Sequence, residues 1–301
     1  MRTLSGSTRM QRSSSQAPDA KCRAGVEPAV PFERGGTMTK QLLIYESAIP
    51  VSSARHRTAS VEPQKGYGFS AGINAVPLMA VEILRASAEY AIVFTAAGDE
   101  VVPAVVLGIR SDQNLYLTDD AHWQAKYIPA FIRRYPFVFS TSADGKTLTL
   151  CIDESFPGLN RDGLGQRLFG DDGQPAPYVD AVLKFLQEYQ AQFERTRQFG
   201  KRIKELGLLE PMQAQVVTPN GGKFTLNGFL GVNRAKLRAL DAEALVTLAK
   251  TDELELLYLH LYSMRNFDDV KDRMFGALTA SDEGSAGAPE AESVPSAEAA
   301  T

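Results

Sequence analysis

The chain predicts an α+β fold, with antiparallel β meander and hairpins beside one long amphipathic helix and a C-terminal helical segment. Three observations predict it. Strand-like runs come in pairs separated by turn signals, as in an antiparallel sheet, and are not each followed by a helix as in a doubly wound one. Residues 178–206 repeat apolar side chains at threes and fours, the period of a helix with one buried face. The Gly-rich GxGxxG and GxxxxGK[ST] turns that would open a nucleotide-binding βαβ unit are both missing.

In chain order, LLIYE at 42–46 reads as a short strand, and residues 77–88 have helical spacing with Leu78, Val81, Leu84 and Ala88 on one side. Strands follow at 91–95 and 101–109 around the turn AAGDE, then NLYLT at 114–118, completing a meander. Pro103 lacks an N–H, which places it near its strand's start or at an edge. FVFST at 137–141 and LTLCID at 148–153 flank Asp144-Gly145, a hairpin signal. Residues 154–177 are rich in Gly, Asp and Pro, and a loop of that length is usually functional or disordered. The long helix ends at Gly207, with a break near Gly200 as an option. MQAQVV and KFTLNGFLGV pair across Pro219-Asn220-Gly221-Gly222. Helices at 234–240, 242–250 with Asp241 as N-cap, and 253–277 broken near Asn266 complete the pattern.

With 301 residues, 44% of them hydrophobic, the chain can bury a substantial core. Charge divides it into three. Residues 1–37 are basic and Ser/Gly/Pro-rich, and 280–301 are acidic and of low complexity; both read as disordered extensions of an α+β domain at 38–279, with Met38 as an alternative start. A net charge of −4 supplies no field for nucleic acid. No apolar run is long enough for an integral membrane segment and no apolar signal core opens the chain, so a cytoplasmic location is expected, with the cell surface by a signal-independent route as the alternative. Two cysteines, Cys22 and Cys151, do not make a disulfide scaffold, and no bond between them is expected.

Catalytic schemes have few histidines to draw on. His56, set between arginines, reads as a surface residue, and His260 as a core histidine among Leu256, Leu257 and Met264. Asp120, His122 and His260 hold the residue types of a two-His, one-carboxylate iron site, but Asp119-Asp120 serves equally as a turn. The carboxylates of 153–172 miss calcium-loop spacing, and no metal or cofactor is assigned. Cys151 has no adjacent base and reads as a small buried hydrophobe. There remains a cluster with the only tryptophan: His122, Trp123, Arg133, Arg134 and Tyr135, a mixture favoured at ligand or partner surfaces. The competing reading is core packing, because Tyr127, Phe131 and Tyr135 would share a helical face with the arginines turned outward.

The segments PAVVLGIR, NLYLT and W-x-A-x-Y-I-P-A-F-I-R-R-Y-P-F, followed in order by LCID, RLFGDDG and LLYLHLYSMRN, resemble the bacterial SapC family. The resemblance spans about residues 38–277. It implies a non-catalytic accessory or binding protein tied to surface-layer or cell-envelope function, with a protein partner or small-molecule ligand. It brings no catalytic residue set. The alternative is an enzyme, or a partner of an oxygenase or halogenase system, with an anion or metal pocket between His122, Trp123, Arg133 and the 154–177 loop.

Overall fold

Among the described residues, strand pairing in the computed structural model is antiparallel, in three sheets. The structure describes residues 44–142, 147–217 and 221–285. Both tails as far as residue 43 and from 286, the turn at 143–146, the start of the 42–46 run and part of the 219–222 turn lie outside them. In chain order the elements are β1 (Ala48–Pro50), α1 (Ser53–His56), β2 (Ser60–Val61), β3 (Ala75–Pro77), α2 (Ile83–Ala86), β4 (Ile92–Ala97), β5 (Glu100–Val106), α3 (Ala130–Arg133), β6 (Phe137–Thr141), β7 (Leu148–Asp153), β8 (Leu159–Asn160), β9 (Gln166–Arg167), α4 (Pro177–Glu205), β10 (Leu209–Val217), β11 (Lys223–Val232), α5 (Arg234–Arg238), α6 (Ala242–Lys250), α7 (Glu253–Ser263) and α8 (Phe267–Ser285). The fold is α+β.

The main sheet runs β10-β11-β4-β5-β3, and the others run β1-β7-β6 and β8-β2-β9. The hairpin of β4 and β5 is its centre, buried over Ile92–Thr95 and Val101–Val106, as its near-continuous apolar run predicts. Pro103 sits in mid-strand opposite Phe94, where β3 has run out at Pro77 and only the Leu78 N–H still reaches the Pro103 carbonyl. The missing N–H therefore falls where no ladder continues.

α4 is one uninterrupted helix. Its buried residues Leu186, Tyr189, Phe193, Thr196, Phe199, Gly200 and Ile203 form one stripe, and the helix stops at Gly207, whose φ of 65° suits a C-terminal cap. Gly200 marks a close approach and not a break: a Cβ there would lie 1.7 Å from the Val101 carbonyl oxygen, so only glycine lets α4 lie this close to β5. Asp241 caps α6 by accepting the Ala244 N–H at 2.7 Å. The C-terminal helical segment divides at a 3-10 turn, Met264–Asn266, and α8 runs on to Ser285, past the expected boundary at 279.

Four expectations are corrected. The first strand is Ala48–Pro50, because the Glu46 and Ser47 N–H groups bond the Asp153 carboxylate in place of a ladder. The stretch 77–88 holds only a 3-10 turn, Ala80–Glu82, and α2, with Val81 61% and Leu84 59% exposed. NLYLT contributes only an isolated bridge, Leu117 to Trp123, since Asn114 Oδ1 takes the Tyr116 N–H and folds the segment on itself. The aromatic segment before Pro136 is helical for one turn only. In addition, Cys151 is buried on β7 but disulfide-bonded and not a thiol.

Candidate functional site

Beyond the Leu117–Trp123 bridge, the stretch from Ala125 to Ala130 has no sheet partner among the described residues, so its backbone donors need other acceptors. Two carboxylates supply them. Glu89 accepts the Lys126 and Tyr127 N–H groups, each at 2.9 Å, and the buried Glu82 accepts the Ala130 N–H at 2.7 Å, the Met79 N–H at 2.9 Å and the Tyr127 hydroxyl. Trp123 is half-buried, donates its ring N–H to the Tyr90 hydroxyl at 2.7 Å and packs on Tyr67 and Tyr116. The Tyr90 hydroxyl in turn donates to the Tyr127 carbonyl, and burial raises its pKa well above that of a free phenol. This is a hydrogen-bonded aromatic wall.

The two arginines both face α4, by different routes. Arg133 is exposed, donates Nε–H to the Ile128 carbonyl at 2.9 Å and lies over Tyr127 and Phe185. Arg134 is only 4% exposed, with its guanidinium 4.3 Å from the Phe131 ring centre and 4.9 Å from that of Tyr189. Tyr135 is buried too, stacked on Phe69 at 4.0 Å and meeting the 154–177 loop edge-on through Phe156. His122 stands apart on an exposed turn, Thr118 to His122, closed by the Thr118 N–H to the His122 carbonyl at 2.9 Å and aided by the left-handed φ of 59° at Ala121. The fold thus gathers Trp123, Arg133, Arg134 and Tyr135 into packing contacts and leaves His122 outside them.

His260 is fully buried, accepts the Val232 N–H at Nε2 (3.0 Å) and lies beside the Phe94 ring. Burial lowers its pKa to about 4, so it is neutral at ordinary pH. Among the described residues no three His, Cys, Asp or Glu side chains meet as a metal site, and the set Asp120, His122 and His260 is not assembled.

The residue that sequence reasoning missed is His56. It is 2% exposed, not a surface side chain, and it forms the floor of a cleft of about 580 Å³ between α1 and β8. One helical turn brings the His56 ring back onto its own N-cap, where Nδ1 accepts the Ser52 N–H at 3.2 Å. Nε2 then carries the proton and faces Glu154 Oε1 at 3.2 Å. Arg55 takes both oxygens of the same carboxylate, Nε to Oε1 at 2.5 Å and Nη2 to Oε2 at 2.7 Å. Burial lowers the His56 pKa against the pull of Glu154, while the Arg55 hydrogen bonds lower that of Glu154. The pattern S-S-A-R-H held a signal: a Ser N-cap followed four residues later by a histidine able to close back on it.

The cleft's other wall is the turn 158–164. Asn160 holds it with all four of its side-chain bonds: Oδ1 accepts the Asp162 and Leu164 N–H groups, and Nδ2 donates to the Gly158 and Leu164 carbonyls. Arg161, on this pinned turn, lines the cleft and has no ion-pair partner among the described residues. A second cleft, of about 540 Å³, lies between the β4–β5 turn and α4, and there each cation is matched: Arg197 by Glu100 and Glu194, Lys204 by Asp99, Lys201 by Glu205.

The profile of the SapC family matches residues 51–270, well over half of the chain. The chain belongs to the SapC family. The match takes in both walls of the His56 cleft, the arginine pair and the helices as far as α8. No curated protein and no solved structure matches the chain. Among the described residues of this SapC protein no helix is long and apolar enough to cross a membrane.

Proposed function

We propose that the protein is a non-catalytic accessory or binding protein of the SapC type, acting in surface-layer or cell-envelope function. The observation that carries the non-catalytic half is the engagement of His56. A general base needs a ring nitrogen within reach of a substrate proton. His56 lies in a cleft beside a carboxylate, as a catalytic histidine would, but Ser52 N–H occupies Nδ1 and Glu154 faces Nε2. Neither nitrogen is offered to a ligand. Membership of the SapC family supports the accessory half.

A second reading, a small-molecule anion pocket, is favoured by one observation: a cleft lined by Arg55 and Arg161 exists, although at α1 and β8 and not beside His122 and Arg133. The test of the first reading is deletion of the gene in the source bacterium, with surface-layer protein measured in the envelope fraction. A loss or misassembly restored by the full chain is expected. An unchanged envelope would overturn the surface-layer assignment.

A further inference from the structure

Resting on the binding reading, we propose that the cleft between α1 and β8 binds a small polar carboxylate, seated on Arg161 across from the Arg55–Glu154–His56 cluster. The cleft's volume of about 580 Å³ falls within the roughly 300–1,000 Å³ of ligand sites. Its apolar side chains are two alanines, Ala54 and Ala59, and Leu159, so a ligand there is recognised mainly by polar groups.

With His56 neutral, the lining holds two guanidiniums against one carboxylate, a local excess of positive charge in a chain whose net charge is −4. Attraction of an anion is therefore local to the cleft and not a property of the whole protein. The cleft already shows how it handles a carboxylate: Glu154 is held at both oxygens by Arg55, the planar fork that guanidinium and carboxylate form best. Arg161 offers the same fork without an ion-pair partner among the described residues. Because Asn160 fixes the turn beneath it, little backbone ordering remains to oppose binding. Glu154 is also the competitor, its negative charge opposing any anion that enters.

Calorimetric titration of the full chain with citrate, inorganic phosphate and neutral glucose, at constant ionic strength, tests the proposal. Citrate binds, glucose gives no heat, and phosphate, which a guanidinium can also hold at two oxygens, binds at least about tenfold more weakly because its single compact group can meet Arg161 but not span a cleft of about 580 Å³. Arg161→Gln weakens citrate by about tenfold or more with an unchanged urea midpoint. Glu154→Gln removes the competing charge and tightens citrate several-fold, whereas a purely structural Glu154 would weaken it. Lys201→Gln, at the other cleft, leaves binding unchanged. No citrate heat at about 10 mM, about 2.7 kcal/mol by the affinity relation, overturns the proposal. So does phosphate binding as tightly as citrate, or a loss in Lys201→Gln equal to that in Arg161→Gln. A citrate-silent protein that still restores the envelope of the deletion strain sinks the cleft alone and leaves the accessory role standing.

Discussion

The segment from His122 to Tyr135 and the cleft between α1 and β8 use the same side chains, arginine, histidine and carboxylate, to opposite ends. In the first, Arg134 lies over the Phe131 and Tyr189 rings and Glu82 spends its oxygens on the Met79 and Ala130 N–H groups and the Tyr127 hydroxyl, so the polar groups hold an irregular stretch of chain against α4 and the Ala80–Glu82 turn. In the second, a carboxylate, a histidine and two arginines line an opening to solvent. Residue type does not separate the two; the direction each group faces does. In the segment richest in binding-type residues Arg134 and Tyr135 turn inward onto neighbouring rings, and the cluster that lines a cleft sits in a stretch of plain wording.

The largest effect expected is at Glu82. Replacing it with Ala strands the Met79 and Ala130 N–H groups and the Tyr127 hydroxyl, and at about 1–3 kcal/mol per buried unsatisfied group the loss is about 3–5 kcal/mol after partial relaxation. A urea midpoint within error of the parent protein would show that this segment is not carried by its carboxylates. Arg161→Gln in the cleft, by contrast, leaves that midpoint within about 0.5 kcal/mol, as for an ordinary surface change.

How much of this was legible follows from where each residue's partner lies. The β4–β5 hairpin, the stripe of α4 and the Asp241 cap were readable because their determinants are neighbours in sequence: an apolar run either side of Gly98-Asp99, a 3.6 period, a side chain three residues from its N–H. NLYLT alternates like a strand, yet Asn114 takes its own neighbour's N–H, and that local bond defeats the pattern. His56 was misread because the carboxylate that buries it with Arg55 lies 98 positions away. Gly200 looked like a break because its reason, the Val101 carbonyl, belongs to another element. Of the candidate cluster, the aromatic packing could be foreseen from composition, but not the inward turn of Arg134.

The next effect in size is pH-dependent and sharpens the contrast between buried and lining histidines. His260 titrates at about 4 in the folded protein against 6.5 for an ordinary histidine, because burial penalises its charged form. The unfolded chain therefore binds a proton in that window and the folded one does not, so stability rises with pH there. The contribution is full above pH 6.5, is lost as pH falls toward about 4, and amounts to about 3 kcal/mol at about 1.4 kcal/mol per pH unit. Urea midpoints between pH 7 and 4 measure it; a His260→Gln variant with an equally steep decline would assign the slope to other groups.

A smaller effect belongs to Trp123→Phe, which keeps the ring but removes the N–H that reaches the Tyr90 hydroxyl. The loss is about 1 kcal/mol, one hydrogen bond whose partner still donates to the Tyr127 carbonyl. A loss above about 3 kcal/mol in the same urea series would mean that the indole does more than close this wall.

The last comparison separates the two adjacent arginines. Arg133 is exposed, donates to the Ile128 carbonyl and lies over the Tyr127 and Phe185 rings, so Arg133→Ala costs under about 1 kcal/mol, the range of exposed cation–π pairs. Arg134→Ala opens a cavity between Phe131 and Tyr189 and costs more, about 2–4 kcal/mol, with Lys a poor replacement because it has no plane to stack. Equal losses from the two variants would mean that burial does not distinguish them. A loss of citrate binding in Arg133→Ala, at a residue that does not line the cleft, would move the anion site back toward the aromatic wall and reverse the contrast between the two regions.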